Sequence, residues 1–461
     1  MQEPAVTKTK KNNQLLFKKI WGKANWLITI ICTSIVFGYI VGLFYLDNNQ
    51  KPTTENISQT DSSQSNTFTL KKYNNKYQTF IFEIYDLIRA NYWSEISEEE
   101  LGELYSLAYT KITKQAADPS STSRKDIEKI LLKQIENYNT NEEKETFCIQ
   151  LSQLVITNLQ PLNRSKLYTN QDKTKLHNEV SNINPEINHF NTLGVNEEVN
   201  QEEVDKAYSV KKASLVAANT SEAKQELQNL EKSYEVLNNK ENRKQYKLNG
   251  VEPTMAYRLL NDRTFYLQIK KFSPTTVDEL TRTLKKLEEH AQTNTLILDL
   301  RDNIGGAIDG LPYFLGPFIG YDQYAYQFFQ QNETEDFKTK TNQLEILKKI
   351  KKVVILINQN TQSSAEVMAS VLKQYNFGIL LGTTTRGWGT VERIFPLESQ
   401  ISQNEEHAVF LVHHLTLRND HLPIEGNGVS PDIKITNPDW EKKLFNTYND
   451  QELINEIKLL Y

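Results

Sequence analysis

The chain divides into segments with different patterns of apolar and polar residues. Residues 26–46, WLITIICTSIVFGYIVGLFYL, form an uncharged and mostly apolar run of 21 residues, enough for one helix to cross the hydrocarbon core of a membrane. Lysines precede this run and Asp47 follows it, so the positive-inside rule places residues 1–25 in the cytosol as a basic tail. We therefore predict a single-pass membrane protein whose bulk is extracytoplasmic, either periplasmic or at the cell surface. A cleaved signal peptide is the alternative, but the run is longer than a usual h-region and no A-x-A site follows it.

The segment after the apolar run predicts a stalk and then a helical region. Residues 47–75 are polar and poor in apolar residues, which is typical of a flexible linker. From 76 to 165 the apolar spacing becomes helical, and Ser97 followed by Glu100 forms a capping box at one helix start. A second polar stretch, about 161–186, then separates this all-α region from the next unit.

Strands and helices alternate from residue 251 onward. RTFYLQIKKF alternates like a strand, TTVDELTRTLKKLEEHAQ is an amphipathic helix, and NTLILDLRDN is a continuous apolar strand. The segments KKVVILINQN, SSAEVMASVLKQY, FGILLGTTT and EHAVFLVHHLTLRND repeat the alternation. This pattern predicts a layered α/β (α+β) core over 251–440, followed by a C-terminal helix over 441–461.

Composition narrows the possible functions without naming one. With 461 residues the chain is long enough for two or three domains, and its 53 basic against 58 acidic residues give no nucleic-acid signature. The two cysteines, Cys32 and Cys148, cannot form a disulfide framework. No H-E-x-x-H, C-x-x-C, dinucleotide fingerprint or acidic metal cluster occurs, so we expect neither a metal nor a cofactor. The sequence does not indicate an oligomeric state.

Residues 186–250 carry a distinct helical signature in HFNTLGV, EEVDKAY and LEKSYEVLNNKENRKQY. This segment resembles a J-domain, the module of DnaJ-type co-chaperones, over about 60 residues. The His-Pro-Asp tripeptide through which that family stimulates its partner chaperone falls here on Val216, Ala217 and Ala218, so the resemblance does not carry co-chaperone activity with it. The alternative interpretation is a helical hairpin that serves only as a spacer.

Two short motifs in the core have the form of catalytic turns. In LILDLRDNIGG a buried strand ends in Gly305 and Gly306, which let the backbone turn sharply and leave N–H groups free to point at an anion or a carbonyl oxygen. In VVILINQNTQSSAEVMASVLKQY a strand runs into a helix that starts near Ser363 and Ser364. A serine at such a turn can expose its hydroxyl at the helix N-terminus. Ser363 followed by Glu366 is also a plain capping box, which is the alternative reading.

A third motif, GTTTRGWGTVERIFPL, presents one side chain from a loop rich in glycine and threonine. The residue between Gly387 and Gly389 is Trp388, whose indole can neither accept a proton nor bind a metal. The loop also lacks the Gly-Lys-Ser/Thr ending of a phosphate-binding loop.

Taken in order, these motifs resemble those of the C-terminal processing peptidases, also called tail-specific proteases. The resemblance runs through 257–436 and includes LTLRNDHLPIEGNGVSPDIKI near its end, while IYDLIRANYWSEISEEEL is similar to the helical N-terminal part of the same proteins. The family consists of serine endopeptidases in which a neutral lysine takes the serine's proton and a nearby Gln or Asp orients the lysine.

The resemblance assigns roles to individual residues of this chain. It implies that Ser363 is the nucleophile and that the oxyanion donors are a backbone N–H of Gly305 or Gly306 and the N–H of Ser364. The family's lysine position, 25 residues after the serine, falls on Trp388. The orienting Gln position, four residues later, falls on Glu392. The general base of the dyad is therefore missing.

Other side chains offer only conditional substitutes for that lysine. Arg386 stays protonated at any accessible pH, and Lys373 lies about 15 Å further along the same predicted helix. Glu392 can accept a proton only if burial raises its pKa considerably. His413 and His414 alternate between the faces of a predicted strand, so one of them could point toward the cleft, although a partly exposed strand pair is the simpler interpretation.

Three functions remain compatible with the sequence. The first is a membrane-anchored serine peptidase that acts on extracytoplasmic protein tails through a substitute base. The second is a pseudopeptidase that binds polypeptide tails, or holds a partner complex, without cleaving. The third is a chaperone-type adaptor built on the J-like unit. That unit occupies 186–250, where the family usually carries a PDZ domain for gripping protein C-termini, so any recognition of tails must use another surface.

Overall fold

The computed structural model describes residues 73–115, 122–290 and 292–461. The predicted membrane segment 26–46 lies outside the described residues, together with the basic tail and nearly all of the stalk. Within the described ranges, no helix combines the length and the apolar character that a membrane crossing requires.

Four helices form the first described region. They are α1 (Lys76–Asn91), α2 (Glu98–Thr113), α3 (Arg124–Asn137) and α4 (Asn141–Thr157). The predicted capping box starts α2: the Ser97 hydroxyl accepts a hydrogen bond from the Glu100 N–H at 3.1 Å, and the Glu100 carboxylate accepts one from the Ser97 N–H at 2.9 Å. Reciprocal capping satisfies two N–H groups that a helix start otherwise leaves without a partner.

The stretch 161–186 is more than the polar separator that its composition suggested. It contains strand β1 (Lys166–Tyr168) and helix α5 (Asn170–Val180), and β1 pairs antiparallel with a long strand of the core. A strand of three residues is too short to show an alternating pattern. Helix α5 buries only Leu176 and Val180, so its apolar face was also too narrow to recognise.

Residues 186–250 form a separate helical unit with its own apolar cluster. Its helices are α6 (His189–Leu193), α7 (Gln201–Ala218), α8 (Ser221–Leu237) and α9 (Lys240–Asn249). Residues 216–218, where a J-domain carries its functional tripeptide, are the last turn of α7 rather than a loop. The chain reverses through Asn219, in the left-handed conformation, and Thr220, which caps α8. Kinship with J-domains stays a prediction.

The helical unit is fastened to the core where the chain enters and leaves it. Ile183 and Val251 form an antiparallel bridge, and the Glu252 N–H donates to the Asn182 carbonyl at 2.9 Å. The buried His189 ring connects the two parts, because Nδ1 lies 2.8 Å from the Ser233 hydroxyl and Nε2 lies 2.9 Å from Glu252 Oε1. Both ring nitrogens are thus satisfied without water.

The core contains a six-stranded sheet in the order β11-β8-β7-β4-β3-β2. All strands are parallel except the edge strand β2, which runs antiparallel to β3. Helices pack against it, and the predicted mixed α/β core is confirmed. The elements are β2 (Met255–Leu259), β3 (Thr264–Ile269), α10 (Thr276–Glu288), β4 (Thr295–Asp299), α11 (Leu311–Ile319), α12 (Glu345–Lys349), β7 (Lys352–Ile357), α13 (Ser364–Gln374), β8 (Ile379–Gly382) and β11 (Ile433–Lys434).

A second sheet is built around the long, fully buried strand β10. Strand β9 pairs with β10 along residues 408–415. Strand β1 pairs with the start of β10 and β5 with its end, and β6 extends the sheet beyond β5. The bounds are β5 (Tyr324–Gln330), β6 (Glu333–Lys338), β9 (Thr390–Pro396) and β10 (Ala408–Leu417).

The predicted single helix over 441–461 is wrong. Two helices occupy this segment, α14 (Trp440–Tyr448) and α15 (Gln451–Leu460). Asn449 adopts the left-handed conformation that ends α14, and the Asp450 carboxylate caps α15 by accepting from the Leu453 N–H. An Asn-Asp pair that stops one helix and starts the next was the signal in the sequence.

We predict that the contact between His189 and Glu252 contributes to the stability of the protein. Glu252→Ala leaves the buried His189 ring and Lys232 without their carboxylate partner, and we expect it to lower the free energy of unfolding by about 3 kcal/mol. Glu235→Ala is the matched control, because it removes a more exposed ion pair with Lys270 at the same junction and should cost below about 1 kcal/mol. Urea unfolding of the two variants measures the difference, and equal losses would contradict the assigned role of Glu252.

Candidate active site

Ser363 lies at the turn between strand β7 and helix α13. The Thr361 hydroxyl donates to the Leu300 carbonyl at 2.8 Å, which ties this turn to the end of the neighbouring strand β4. Ser363 itself has φ +56° and ψ −127°, a left-handed conformation that is costly for a residue with a side chain. A plain helix cap has extended backbone instead, so the turn is built to present a half-buried serine at the start of α13.

The glycine turn lies directly against this serine. A Cβ on Gly305 would stand 2.6 Å from the Ser363 Cβ, and a Cβ on Gly306 would stand 1.8 Å from the Phe272 carbonyl oxygen. Both glycines have positive φ, +90° and +137°. The Ser364 hydroxyl donates to the Gly306 carbonyl at 2.9 Å and holds the two turns together. Only glycine fits at either position.

The three proposed oxyanion donors are not equally available. The Gly305 N–H donates to Asn303 Oδ1 at 2.8 Å. By contrast, the N–H groups of Gly306 and Ser364 have no hydrogen-bond acceptor within the described ranges. The geometry therefore leaves Gly306 and Ser364 as the candidates for this role.

Glu366 joins the serine turn to the loop that carries Trp388. One of its carboxylate oxygens accepts hydrogen bonds from the N–H groups of Ser363, at 2.9 Å, and Trp388, at 2.8 Å. The other oxygen accepts from the Thr385 hydroxyl at 2.5 Å and the Gly387 N–H at 2.6 Å. Burial raises the pKa of Glu366 to about 7. The spacing of Ser363 and Glu366 suggested only a helix cap, and no local pattern indicated the contacts across the loop.

The predicted lysine position holds Trp388, whose ring is packed between other side chains. The guanidinium carbon of Arg164 lies 3.3 Å from the centre of the Trp388 ring, and the indole packs against an apolar cluster that includes Tyr168. Arg164 is held by an ion pair with Glu425 at 3.0 Å. Sequence reasoning missed Arg164, Tyr168 and Glu425, because the first two lie in the stretch taken for a separator.

Glu392 is fully buried on strand β9, opposite Val412 of β10. Within the described part of the chain, neither of its carboxyl oxygens has a hydrogen-bond partner. Burial raises its pKa to about 8, and the neighbouring Thr390 side chain and the charge of Arg164 offset this only in part. Glu392 is therefore mainly protonated at neutral pH, a state in which it cannot accept the serine's proton.

The two histidines are occupied elsewhere. Their Nδ1 atoms lie 3.0 Å apart, and the rings of His413 and His414 stack on Phe395 and Phe328 respectively. Burial lowers the pKa of His413 to about 2 and that of His414 to about 4. The hypothesis that one of them faces the serine finds no support, since both are buried in strand β10.

No other base reaches the serine. Lys373 pairs with Asp432 at 3.0 Å and donates to the Ser430 carbonyl. Across the described ranges, no histidine, lysine or carboxylate forms a hydrogen bond with the Ser363 hydroxyl, and no group of three or more His, Cys, Asp and Glu side chains is arranged to hold a metal ion. The site thus has a strained serine, two free amide donors and no proton acceptor in place.

Comparison with known proteins identifies this core. Residues 263–435 match the family model of peptidase family S41. The core belongs to peptidase family S41. Relatives of the S41 core include the carboxy-terminal-processing protease of Bartonella bacilliformis, 29% identical over 210 residues that cover 44% of this chain and 46% of that protein. The carboxy-terminal processing protease CtpA of Bacillus subtilis is 30% identical over 176 residues, 38% of this chain and 36% of that protein. The predicted kinship with C-terminal processing peptidases is confirmed.

The similarity covers only part of each protein. The chain spans between a third and just under half of the length of the curated relatives that it matches. Among solved structures, a photosystem II D1 C-terminal processing protease matches 40% of this chain and 49% of its own, with 18% identity and a TM-score of 0.35. A Streptococcus agalactiae lipoprotein matches 82% of this chain and 97% of its own, with 14% identity and a TM-score of 0.40. TM-scores this low leave the family assignment to the sequence matches.

The buried Glu392 predicts a pH dependence of stability. Its pKa is about 8 in the folded state against an ordinary value of 4.5, so the folded state retains a proton that the unfolded state has already released. Stability from this group is therefore present below pH 4.5 and is lost as the pH rises toward 8. Glu392→Gln stays neutral throughout, and at pH 8 we expect it to be more stable than the parent by up to about 4 kcal/mol, with no gain at pH 4.5.

Urea unfolding at a series of pH values measures this difference. Glu405→Gln is the control, because that side chain is exposed and should leave the profile of the parent unchanged. A Glu392→Gln profile that parallels the parent would show that Glu392 does not carry the proton.

Proposed function

We propose that this protein binds polypeptide tails in the cleft of an S41 peptidase core and does not cleave them. The observation that carries the proposal is the Trp388 ring at the lysine position, stacked under Arg164. The ion pair of Arg164 with Glu425 fixes that arrangement. The relatives are named as proteases that process carboxyl termini, which supports polypeptide tails as the ligand class.

The surrounding carboxyl groups support binding without cleavage. Glu392 holds its proton at neutral pH because it is buried, and Glu366 already accepts four hydrogen bonds from the loop and the serine turn. A general base contributes about 10²–10⁴ to the rate of such a reaction. With that contribution removed, the retained cleft can still select and hold a peptide.

One observation favours a second candidate, an active serine peptidase with a substitute base. The strained backbone of Ser363 and the close glycine turn are both retained, although peptide binding needs neither. Strain of this kind persists only where the surrounding structure enforces it. In this candidate, a group brought in by the substrate takes the serine's proton.

Cleavage assays separate the two candidates. The purified full chain and its Ser363→Ala variant are incubated with unfolded proteins and with peptides that have apolar C-termini, and products are followed by mass spectrometry. We expect no difference between the two, because no base is in place to activate the serine. Cleavage by the parent that is lost in Ser363→Ala would reject the binding proposal and establish a serine peptidase.

Introducing the dyad lysine tests whether the rest of the site can still support cleavage when a general base is supplied. In Trp388→Lys/Glu392→Gln, the new lysine lies beside Arg164, and the like charge lowers the lysine pKa toward that of a useful base. We expect cleavage at least about 100-fold above the parent. The triple variant with Ser363→Ala is the control and should return to the level of the parent. Activity that survives in it would come from another source.

We also propose that residues 26–46 anchor the protein in a membrane, with the S41 core outside the cytosol. Support comes from the apolar run and the lysines before it. The full chain should sediment with membranes and resist extraction by alkaline carbonate, whereas a chain that starts at residue 47 should be released. Extraction of the full chain by carbonate would contradict the anchor.

A further inference from the structure

Strand β2 forms one outer edge of the six-stranded sheet, and its pairing with β3 shows which of its backbone groups face outward. The Leu260 N–H donates to the Thr264 carbonyl at 3.0 Å, and the Lys270 N–H donates to the Thr254 carbonyl at 2.8 Å. Bonded pairs recur at every second residue of an antiparallel ladder, so the even-numbered residues of β2 bond to β3. The backbone groups of the odd-numbered residues point away from β3 and, within the described ranges, have no hydrogen-bond partner: Met255, Tyr257 and Leu259.

This edge lacks the features that usually protect an edge strand. Native proteins commonly blunt such edges with charged side chains, proline or bulges. Strand β2 reads MAYRL, pairs with β3 without a shift in register, and leaves 39% of Tyr257 and 37% of Leu259 exposed. By contrast, β6 at the outer edge of the second sheet reads ETEDFK, and its acidic side chains oppose pairing with a copy of itself. Strand β2 is therefore open to pairing with a further strand.

The side chains of β2 match those of a second copy when the two strands run antiparallel about a two-fold axis at Tyr257. On one face of the sheet, Tyr257 then lies opposite its equivalent, and Met255 lies opposite Leu259 of the second copy. On the other face, Arg258 lies opposite the small Ala256 of the second copy. Apolar and aromatic cross-strand pairs are stabilising, whereas like charges directly opposite each other are not. This register gives the former and avoids the latter.

The two side chains nearest the axis are already held in place. The Tyr257 ring stacks on Phe265, with ring centres 5.7 Å apart. The guanidinium carbon of Arg258 lies 5.2 Å from the centre of the Tyr266 ring, on the opposite face of the sheet. Neither side chain crosses the free edge in these contacts, so a second strand can approach without displacing them.

Closure favours a second copy over any other strand. Pairing about a two-fold axis uses the same edge of both copies, so it leaves neither β2 edge exposed. A pairing that did not close would present a new edge at each step and would lead to fibres. A peptide ligand would leave the apolar edge open whenever the peptide was absent.

We infer that β2 is a dimerisation edge, at which two copies of this chain pair their β2 strands antiparallel about Tyr257. The two six-stranded sheets then form one continuous sheet, and each outward N–H of β2 meets a carbonyl of the second copy. No residue of the serine site belongs to β2, so each copy keeps its own complete site. The inference therefore does not depend on whether the protein cleaves or only binds polypeptides.

Cysteine crosslinking of the full chain tests the register. In the dimer the two Tyr257 Cα atoms belong to a hydrogen-bonded pair about 5.5 Å apart, within the range that a disulfide spans. The two Arg258 positions lie on a diagonal about 7–8 Å apart, which is too far. Under mild oxidation we expect a disulfide-linked dimer from Tyr257→Cys and little from Arg258→Cys. The parent, oxidised in parallel, accounts for Cys32 and Cys148.

Sedimentation of the full chain in a mild detergent tests the contribution of the edge to association. Tyr257→Lys places two like charges opposite each other and removes the aromatic pair, and we expect it to raise the dissociation constant of the dimer about 10-fold. Tyr257→Phe keeps the ring and should leave the dissociation constant unchanged. Tyr321→Lys is the matched control, because Tyr321 is also an exposed tyrosine but lies in the loop before β5. It should associate like the parent.

Three results would overturn the inference. A parent that sediments as a monomer at every concentration would show that the edge stays unpaired. A parent dimer that Tyr257→Lys leaves intact would place the interface elsewhere. Equal crosslinking of Tyr257→Cys and Arg258→Cys would show random collision of exposed thiols rather than pairing in this register.

Discussion

The buried carboxylate of Glu366 is the constraint on which the site depends. Ser363 and Trp388 donate their backbone N–H groups to the same carboxylate oxygen of Glu366. The distance between the serine turn and the backbone at position 388 is therefore set by these two hydrogen bonds. The side chain at 388 plays no part in that linkage. The serine turn can therefore keep its position whichever side chain stands at 388, so the strained backbone of Ser363 is compatible with an indole there.

Trp388, at the predicted lysine position, is one part of a connected set of contacts. Arg164 covers the ring and brings a permanent positive charge, Glu425 neutralises that charge, and Glu392, at the position predicted to match the family's Gln, retains its proton. The charged groups are thus paired with each other and the buried Glu392 is neutral. An unpaired charge in the protein interior would be costly.

Sequence patterns revealed the parts of the site that lie next to each other in the chain. The glycine turn and the serine turn each follow an apolar strand, and parallel strands β4 and β7 bring them together. The contacts of Arg164 with Trp388 and with Glu425 join segments more than 200 residues apart, and no local pattern records such contacts. Strand β1 was missed for a related reason, since three residues acquire strand geometry only by pairing with β10.

The helical unit of residues 186–250 leaves and rejoins the core at adjacent points, held by the bridge between Ile183 and Val251. Because the two ends of this unit lie next to each other, the core does not have to bridge a gap of a particular length. The size and shape of the unit therefore do not constrain the sheet or the serine turn. Unrelated modules can then replace one another at this junction in evolution, provided that each brings its two ends together. The same peptidase scaffold can in this way acquire a different neighbour without being refolded around it.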